Sequence, residues 1–272
     1  MHADSAFFIG KTHRACQDYT RHSVPGDQVY ALLADGCSSS PDTDLGARSL
    51  VVYAEQYLQT RTDERFLRGS ISPYIKGQLL KHYILAFESL DSTLLTIRVE
   101  DNRFLAEIYG DGIIAVGTKD RSIEVIQTNY SANMPEYLSY SLDKAREERY
   151  IKESETLDNQ QTLLSYQLKG NTCISAVHMD GNAITSVFNN IDIEESPLWI
   201  AVLSDGVESF TQPSENGRIP VPTREILSSL LEFKNFTGEF VHRRFQGFWK
   251  ECEKKGWEPQ DDVSMAAVCL GD

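Results

Sequence analysis

Apolar positions along the chain fall into short runs, interrupted twice by stretches in which they recur every three or four residues. From Phe7 to Ala34 the pattern reads as strands, with 19–24 and 28–34 flanking Pro25-Gly26-Asp27, a turn in which proline sets φ and glycine supplies a positive φ. Ala47, Leu50, Val51, Ala54, Tyr57 and Leu58 then share one face of a predicted helix. A second helix is predicted from about Pro73, with Tyr74, Ile75, Leu79, Leu80, Tyr83, Ile84 and Phe87 as its apolar stripe. Strand patterns resume at 93–99, 104–109, 113–116, 123–128, 172–178, 183–188 and 198–203. Two more helices, one after Pro222-Thr223 and one across 238–252, precede a last strand at 263–269.

Strands, two helices, many strands, two helices and one strand do not alternate as βαβ units do. The order predicts an α+β fold of antiparallel sheets with helices outside. No Pro-, Gly- or Ser-rich linker divides the chain, so residues 1–272 are expected to form one domain. The polar, charge-dense stretch 141–161 is expected as an exposed, mobile helical excursion from it.

Composition narrows the function classes. A hydrophobic fraction of 41% supports a sizeable core, and a net charge of −14 argues against nucleic-acid or anionic-membrane partners. No signal peptide is visible and no apolar run is long enough to span a bilayer, so a cytoplasmic location is expected. Cys16, Cys37, Cys173, Cys252 and Cys269 are odd in number and never spaced C-x-x-C, which disfavours a disulfide framework and a structural zinc site.

The carboxylates carry the chemistry. Asp35-Gly36 and Asp205-Gly206 each end an apolar strand, Asp261-Asp262 precedes the last strand, and Asp18 opens the second. Asp-Gly also marks ordinary hairpins, and Asp180-Gly181 between two strand patterns is read as one. Asp35 and Asp205 are not followed directly by a returning strand. Each alone is compatible with a turn or cap; together they favour a site at rigid sheet ends. Its donors are all oxygen, which suits Mg²⁺, Mn²⁺ or Ca²⁺ better than zinc.

Phe8-Ile9-Gly10 with Cys16-Gln17-Asp18, then Ala34-Asp35-Gly36, Gly46-Ala47, Gly110-Asp111-Gly112, Leu203-Ser204-Asp205-Gly206 and Asp261-Asp262-Val263-Ser264, follow the order and approximate spacing of motifs in the type 2C, metal-dependent protein phosphatases. The chain resembles that family over nearly its whole length. Gly10-Lys11-Thr12-His13 with Gln17-Asp18 is most similar to a bacterial branch carrying His and Gln-Asp in its first motif. The resemblance implies a four-layer α-β-β-α sandwich of two antiparallel sheets flanked by helix pairs. It also implies hydrolysis of phosphoserine and phosphothreonine in proteins by direct attack of a hydroxide bridging two Mg²⁺ or Mn²⁺ ions. On that resemblance Asp35 bridges the two ions, the Gly36 carbonyl binds one, Asp205 and Asp261 hold the other, Asp18 acts mainly through water, and Asp111 helps to hold a weaker third. Asp111 also has a hairpin reading, because Gly112 leads straight into a strand pattern.

Two departures stand out. Cys37 occupies the position of a histidine proposed as general acid in many members, and His13 stands near the place of a phosphate-binding arginine, with Arg14 one residue on. A pseudophosphatase serving as a binding or scaffold module is therefore the alternative, and a hydrolase of small phosphoesters a third reading. The expected partners are a phosphorylated protein and a cognate kinase. Gly10-Lys11-Thr12 lacks the upstream glycine of a phosphate loop. His178 reads as structural, and Phe240, Phe245, Phe248 and Trp249 as helix core.

Overall fold

The computed structural model describes residues 1–23, 28–60, 71–100, 103–168, 173–179 and 198–270. Its elements are β1 (His2–Phe8), β2 (Tyr19–His22), β3 (Tyr30–Gly36), α1 (Thr43–Thr60), α2 (Ser72–His82), β4 (Ser92–Glu100), β5 (Arg103–Tyr109), β6 (Gly112–Gly117), β7 (Ile123–Tyr130), α3 (Lys144–Thr156), β8 (Gln161–Gln167), β9 (Cys173–Met179), β10 (Trp199–Leu203), β11 (Phe210–Ser214), β12 (Gly217–Pro220), α4 (Thr223–Leu230), α5 (Phe240–Lys255), β13 (Glu258–Pro259) and β14 (Val263–Cys269). One sheet has the order β1-β14-β10-β6-β7-β8-β9 and a second the order β2-β3-β4-β5, with neighbours antiparallel in both.

The central strands read as continuous apolar runs because they are covered on both faces. From β3, Ala31 and Leu33 join Leu95 and Ile97 of β4, Ile114 of β6, Val202 of β10 and Ala266 of β14 in the layer between the sheets. The alternate residues Tyr30, Leu32 and Ala34 face Leu50, Val51 and Ala54 of α1 and Ile75 and Leu79 of α2. On the outer face of the larger sheet, Ala201, Leu203, Met265 and Ala267 pack against Ile226 and Leu230 of α4 and Phe240, Phe245 and Phe248 of α5. The result is the expected α-β-β-α sandwich.

Several expectations shift. The second helix stops at His82, Tyr83 takes an extended backbone, and Leu80 and Ile84 are exposed rather than part of a buried stripe. The chain leaves the helix axis so that a 3-10 turn, Phe87–Leu90, can dock on α1. That contact is close enough that a Cβ on Gly46 would fall 1.6 Å from the Ser89 carbonyl oxygen. The first strand begins at His2, and β8 and a small sheet of order β12-β11-β13 were not anticipated. Every residue of β12 is exposed, so no apolar pattern marks it. The Pro25-Gly26-Asp27 turn, the 183–188 strand and the Asp180-Gly181 turn lie outside the described residues. The polar stretch does hold a helix, α3, capped by Asp143 and burying none of its residues. Among the described residues no helix is long and apolar enough to cross a membrane, and Cys16, Cys37 and Cys252 are free thiols.

Candidate metal centre

Register delivers the candidate carboxylates to one end of both sheets. Ala34 pairs with Tyr19, which puts Asp18, just ahead of β2, beside Asp35 near the end of β3. In the other sheet Leu203 pairs with Met265 and with Ile113. Asp205 therefore follows β10, Asp261 precedes β14 and Asp111 precedes β6 at the same edge. The hairpin reading of Asp111 is overturned, since β5 belongs to the smaller sheet and β6 to the larger. Gly110-Asp111-Gly112 is the crossing between them, and its glycines have φ of 97° and 129°.

Asp35 is the hub. Burial first, and then the negative charges of Asp18 and Asp205, push its carboxyl well above the usual carboxylate range. Burial lifts Asp18 to about 7. Asp111 rises to about 8 through burial and the charge of Asp205, and Asp205 is itself raised by burial. Neither oxygen of buried Asp18 has a hydrogen-bond donor. Among the described residues, no lysine or arginine makes an ion pair with Asp18, Asp35, Asp111, Asp205 or Asp261. Carboxylates so placed need protons or cations among them, and an oxygen donor set fits Mg²⁺ or Mn²⁺.

The two Asp-Gly steps are made by close packing rather than by hairpins. A Cβ on Gly36 would lie 2.9 Å from the Thr43 side chain, and one on Gly206 only 1.6 Å from the Asp262 carbonyl oxygen. Glycine is what lets β10 and β14 close at the site.

Asp262 holds the first motif in place, a role not read from the sequence. Its buried carboxylate accepts the Gly10 N–H at 2.7 Å and the Gln17 N–H at 2.6 Å. His13 is drawn to the same place, with Nδ1 3.0 Å from Asp262 and Nε2 3.5 Å from Asp261. Burial opposes its protonated form, but the two carboxylates outweigh that and raise its pKa. His13, Asp261 and Asp262 form a group whose candidate ligand atoms lie within 4.8 Å of one another. A lone histidine with no sequence-adjacent partner gave no signal of this. Arg14 is exposed and makes no ion pair among the described residues. Cys37 is half-buried, its Sγ 3.1 Å from Ser39 Oγ and its N–H donated to the Asp91 carbonyl at 2.8 Å. Glu208, three residues past Asp205 in a 3-10 turn, accepts a hydrogen bond from Gln127 and is raised by burial and by Asp205.

A family model described as protein phosphatase 2C matches residues 10–233. No curated protein matches the chain in sequence. Among solved structures, a serine/threonine phosphatase from Staphylococcus aureus is similar at a TM-score of 0.57 and 12% identity, covering 100% of this chain and 96% of that one. A bacterial serine phosphatase gives 0.55 and 15%, covering 100% and 99%. The PPM Ser-Thr phosphatase MsPP from Mycobacterium smegmatis, solved with cacodylate, gives 0.54 and 12%, covering 99% and 98%. At those identities the structures speak for the fold alone. The family model runs from the first motif past Asp205, over most of the sequence, and on that match the chain belongs to the protein phosphatase 2C family and is a metal-dependent protein serine/threonine phosphatase.

Proposed function

We propose that the cluster holds two divalent cations, Mg²⁺ or Mn²⁺, with Asp35 between them, the Gly36 carbonyl on one, Asp205 and Asp261 on the other, Asp18 acting through water, and Asp111 at a weaker third site. Bound there, the cations supply Lewis acidity that makes water nucleophilic near neutral pH and neutralises phosphate oxygens. The chain's part is to fix the donors: five carboxylates come from both sheets and, among the described residues, none is paired to a lysine or arginine, and this observation carries the reading. Cys37 has Ser39 rather than an imidazole as its side-chain partner, so no covalent route is built around it. Water would add to phosphorus as the P–O bond to the serine or threonine oxygen breaks, the alcohol leaving with a proton, and exposed Arg14 is placed to steer the phosphate.

The substrate is phosphoserine or phosphothreonine in a cytoplasmic protein, placed there by a cognate kinase. One observation favours a second reading, a pseudophosphatase: His13 is engaged by Asp262 and Asp261, which leaves phosphate binding in the first motif to the exposed side chains of Arg14 and Lys11. Release of inorganic phosphate from phosphoseryl and phosphothreonyl peptides, measured with Mn²⁺ for wild type and Arg14→Ala, separates the two. Turnover by wild type that falls in the variant supports the enzyme. Saturable peptide binding without phosphate release supports the binding module.

A further inference from the structure

Helix α3 buries none of its residues, so packing of an apolar face does not hold it. Tyr150 and Arg146 do. The Tyr150 ring stacks on Tyr140 with centroids 4.7 Å apart, and its hydroxyl donates to the Met134 carbonyl at 3.2 Å. The Arg146 Nη2 lies 2.7 and 2.8 Å from the two carboxylate oxygens of Asp91, and its guanidinium stands 5.2 Å over the Tyr140 ring. Ser139, in the 3-10 turn ahead of α3, donates its hydroxyl to the same Asp91 carboxylate at 2.6 Å.

Asp91 also carries the loop that leaves the metal centre. Its second oxygen accepts the Ser40 hydroxyl at 2.9 Å, and its backbone carbonyl accepts the Cys37 N–H at 2.8 Å. Both ends of the segment Cys37–Ser40, which directly follows Asp35-Gly36, thus hang on one buried residue. Two positions further on, Thr93 Oγ1 accepts the Asp35 N–H at 3.2 Å. A buried carboxylate depends on its counter-charge, and removing one partner of such a pair leaves the other uncompensated. Docking of α3 and the geometry of the loop after Asp35 therefore share the Arg146–Asp91 ion pair.

Resting on the reading of Asp35 as a metal ligand, we infer that Arg146 is a positioning residue for the metal centre, acting through Asp91 on the Cys37–Ser40 loop, so that seating or lifting α3 tightens or loosens cation binding. One nitrogen, Nη2, reaches both Asp91 oxygens, and the flat guanidinium covers the Tyr140 ring; lysine supplies the charge without that stacking.

The test is calorimetric Mn²⁺ binding to the full chain, with steady-state hydrolysis of p-nitrophenyl phosphate alongside. Arg146→Ala is expected to weaken Mn²⁺ binding about tenfold, the lower end of what lost outer-shell support costs. It should lower kcat more than it raises KM. Arg146→Lys should fall between it and wild type, and Lys152→Ala, on the exposed side of the same helix, should match wild type. Ser40→Ala removes one of the loop's two bonds to Asp91 without touching α3 and must weaken Mn²⁺ binding in the same direction; it carries the test if Arg146→Ala does not fold. Faster proteolysis within 144–156 in Arg146→Ala, with Mn²⁺ affinity and kcat as in wild type, would mean that Arg146 only pins the helix and would overturn the proposal alone. A wild-type chain that binds no Mn²⁺ overturns the metal reading and this proposal with it.

Discussion

The buried carboxylate of Asp262 accepts the amide proton of Gln17 at 2.6 Å across 245 residues of chain, and through that bond the last strand sets the position of the first motif. Its other oxygen holds the Gly10 N–H. Asp262→Ala leaves both donors without a partner. At about 1–3 kcal/mol for a buried unpaired group, the variant should lose about 2 kcal/mol or more. Asp262→Asn keeps one acceptor and should lose less. Urea denaturation midpoints check the order, and a wild-type midpoint for Asp262→Ala contradicts the role.

Asp35→Asn and Asp205→Asn each remove a negative charge from a buried cluster to which, among the described residues, no lysine or arginine is paired. Turnover should fall about 100-fold or more, beyond the 10–100-fold that outer-shell changes typically cost. Metal-free stability at pH 8 should rise in both, because the charge removed was the one that burial and its neighbours opposed. Kinetics with thermal melting in a chelator checks both signs. Retained turnover, or a metal-free chain made weaker, contradicts the placement.

The fold was largely legible because the strands that build the site are apolar runs with sharp ends: 263–269 was read to the residue, and Asp35, Asp205 and Asp261 sit where those runs stop. What escaped notice depends on contacts between distant segments. No local pattern marks Asp262 as the acceptor for Gly10 and Gln17, or Asp91 as the partner of Arg146. The crossing at Asp111 looked like a hairpin because sequence shows two strands and a glycine turn, but not which sheet each strand joins. Leu80 and Ile84 extended a helical period that the docking of residues 87–90 cuts short.

The metal-free chain should become less stable as pH rises. Asp18 and Asp111 are raised to about 7 and about 8 in the fold, against about 3.9 when unfolded. Between those limits the folded state binds more protons, so their contribution is fully present below about pH 4 and is lost as pH climbs through 7 to 8. Cations compete with those protons, so added Mn²⁺ should raise the melting temperature more at pH 8 than at pH 5.5. A larger Mn²⁺ effect at the lower pH contradicts the assignment.

Cys37 bears on leaving-group chemistry. Alkoxides from serine or threonine phosphates need protonation, whereas nitrophenolate hardly does, and general-acid help is typically worth about 10²–10⁴-fold. Cys37→His should therefore raise phosphopeptide turnover more than aryl phosphate turnover. Both rates would be measured for wild type, Cys37→His and Cys37→Ala. A constant ratio across the three shows that residue 37 takes no part in protonating the leaving group.

The most direct measurement strips the purified chain of metal, confirms the stripping by elemental analysis, and follows phosphate release from a phosphoseryl peptide as Mn²⁺ is added back. The expected result is no turnover without cation and recovery with Mn²⁺ on the order of millimolar, since hydrated oxygen-donor sites bind weakly. Full turnover by a chain shown to carry no metal would contradict the assignment of Asp18, Asp35, Asp111, Asp205 and Asp261 to a cation site.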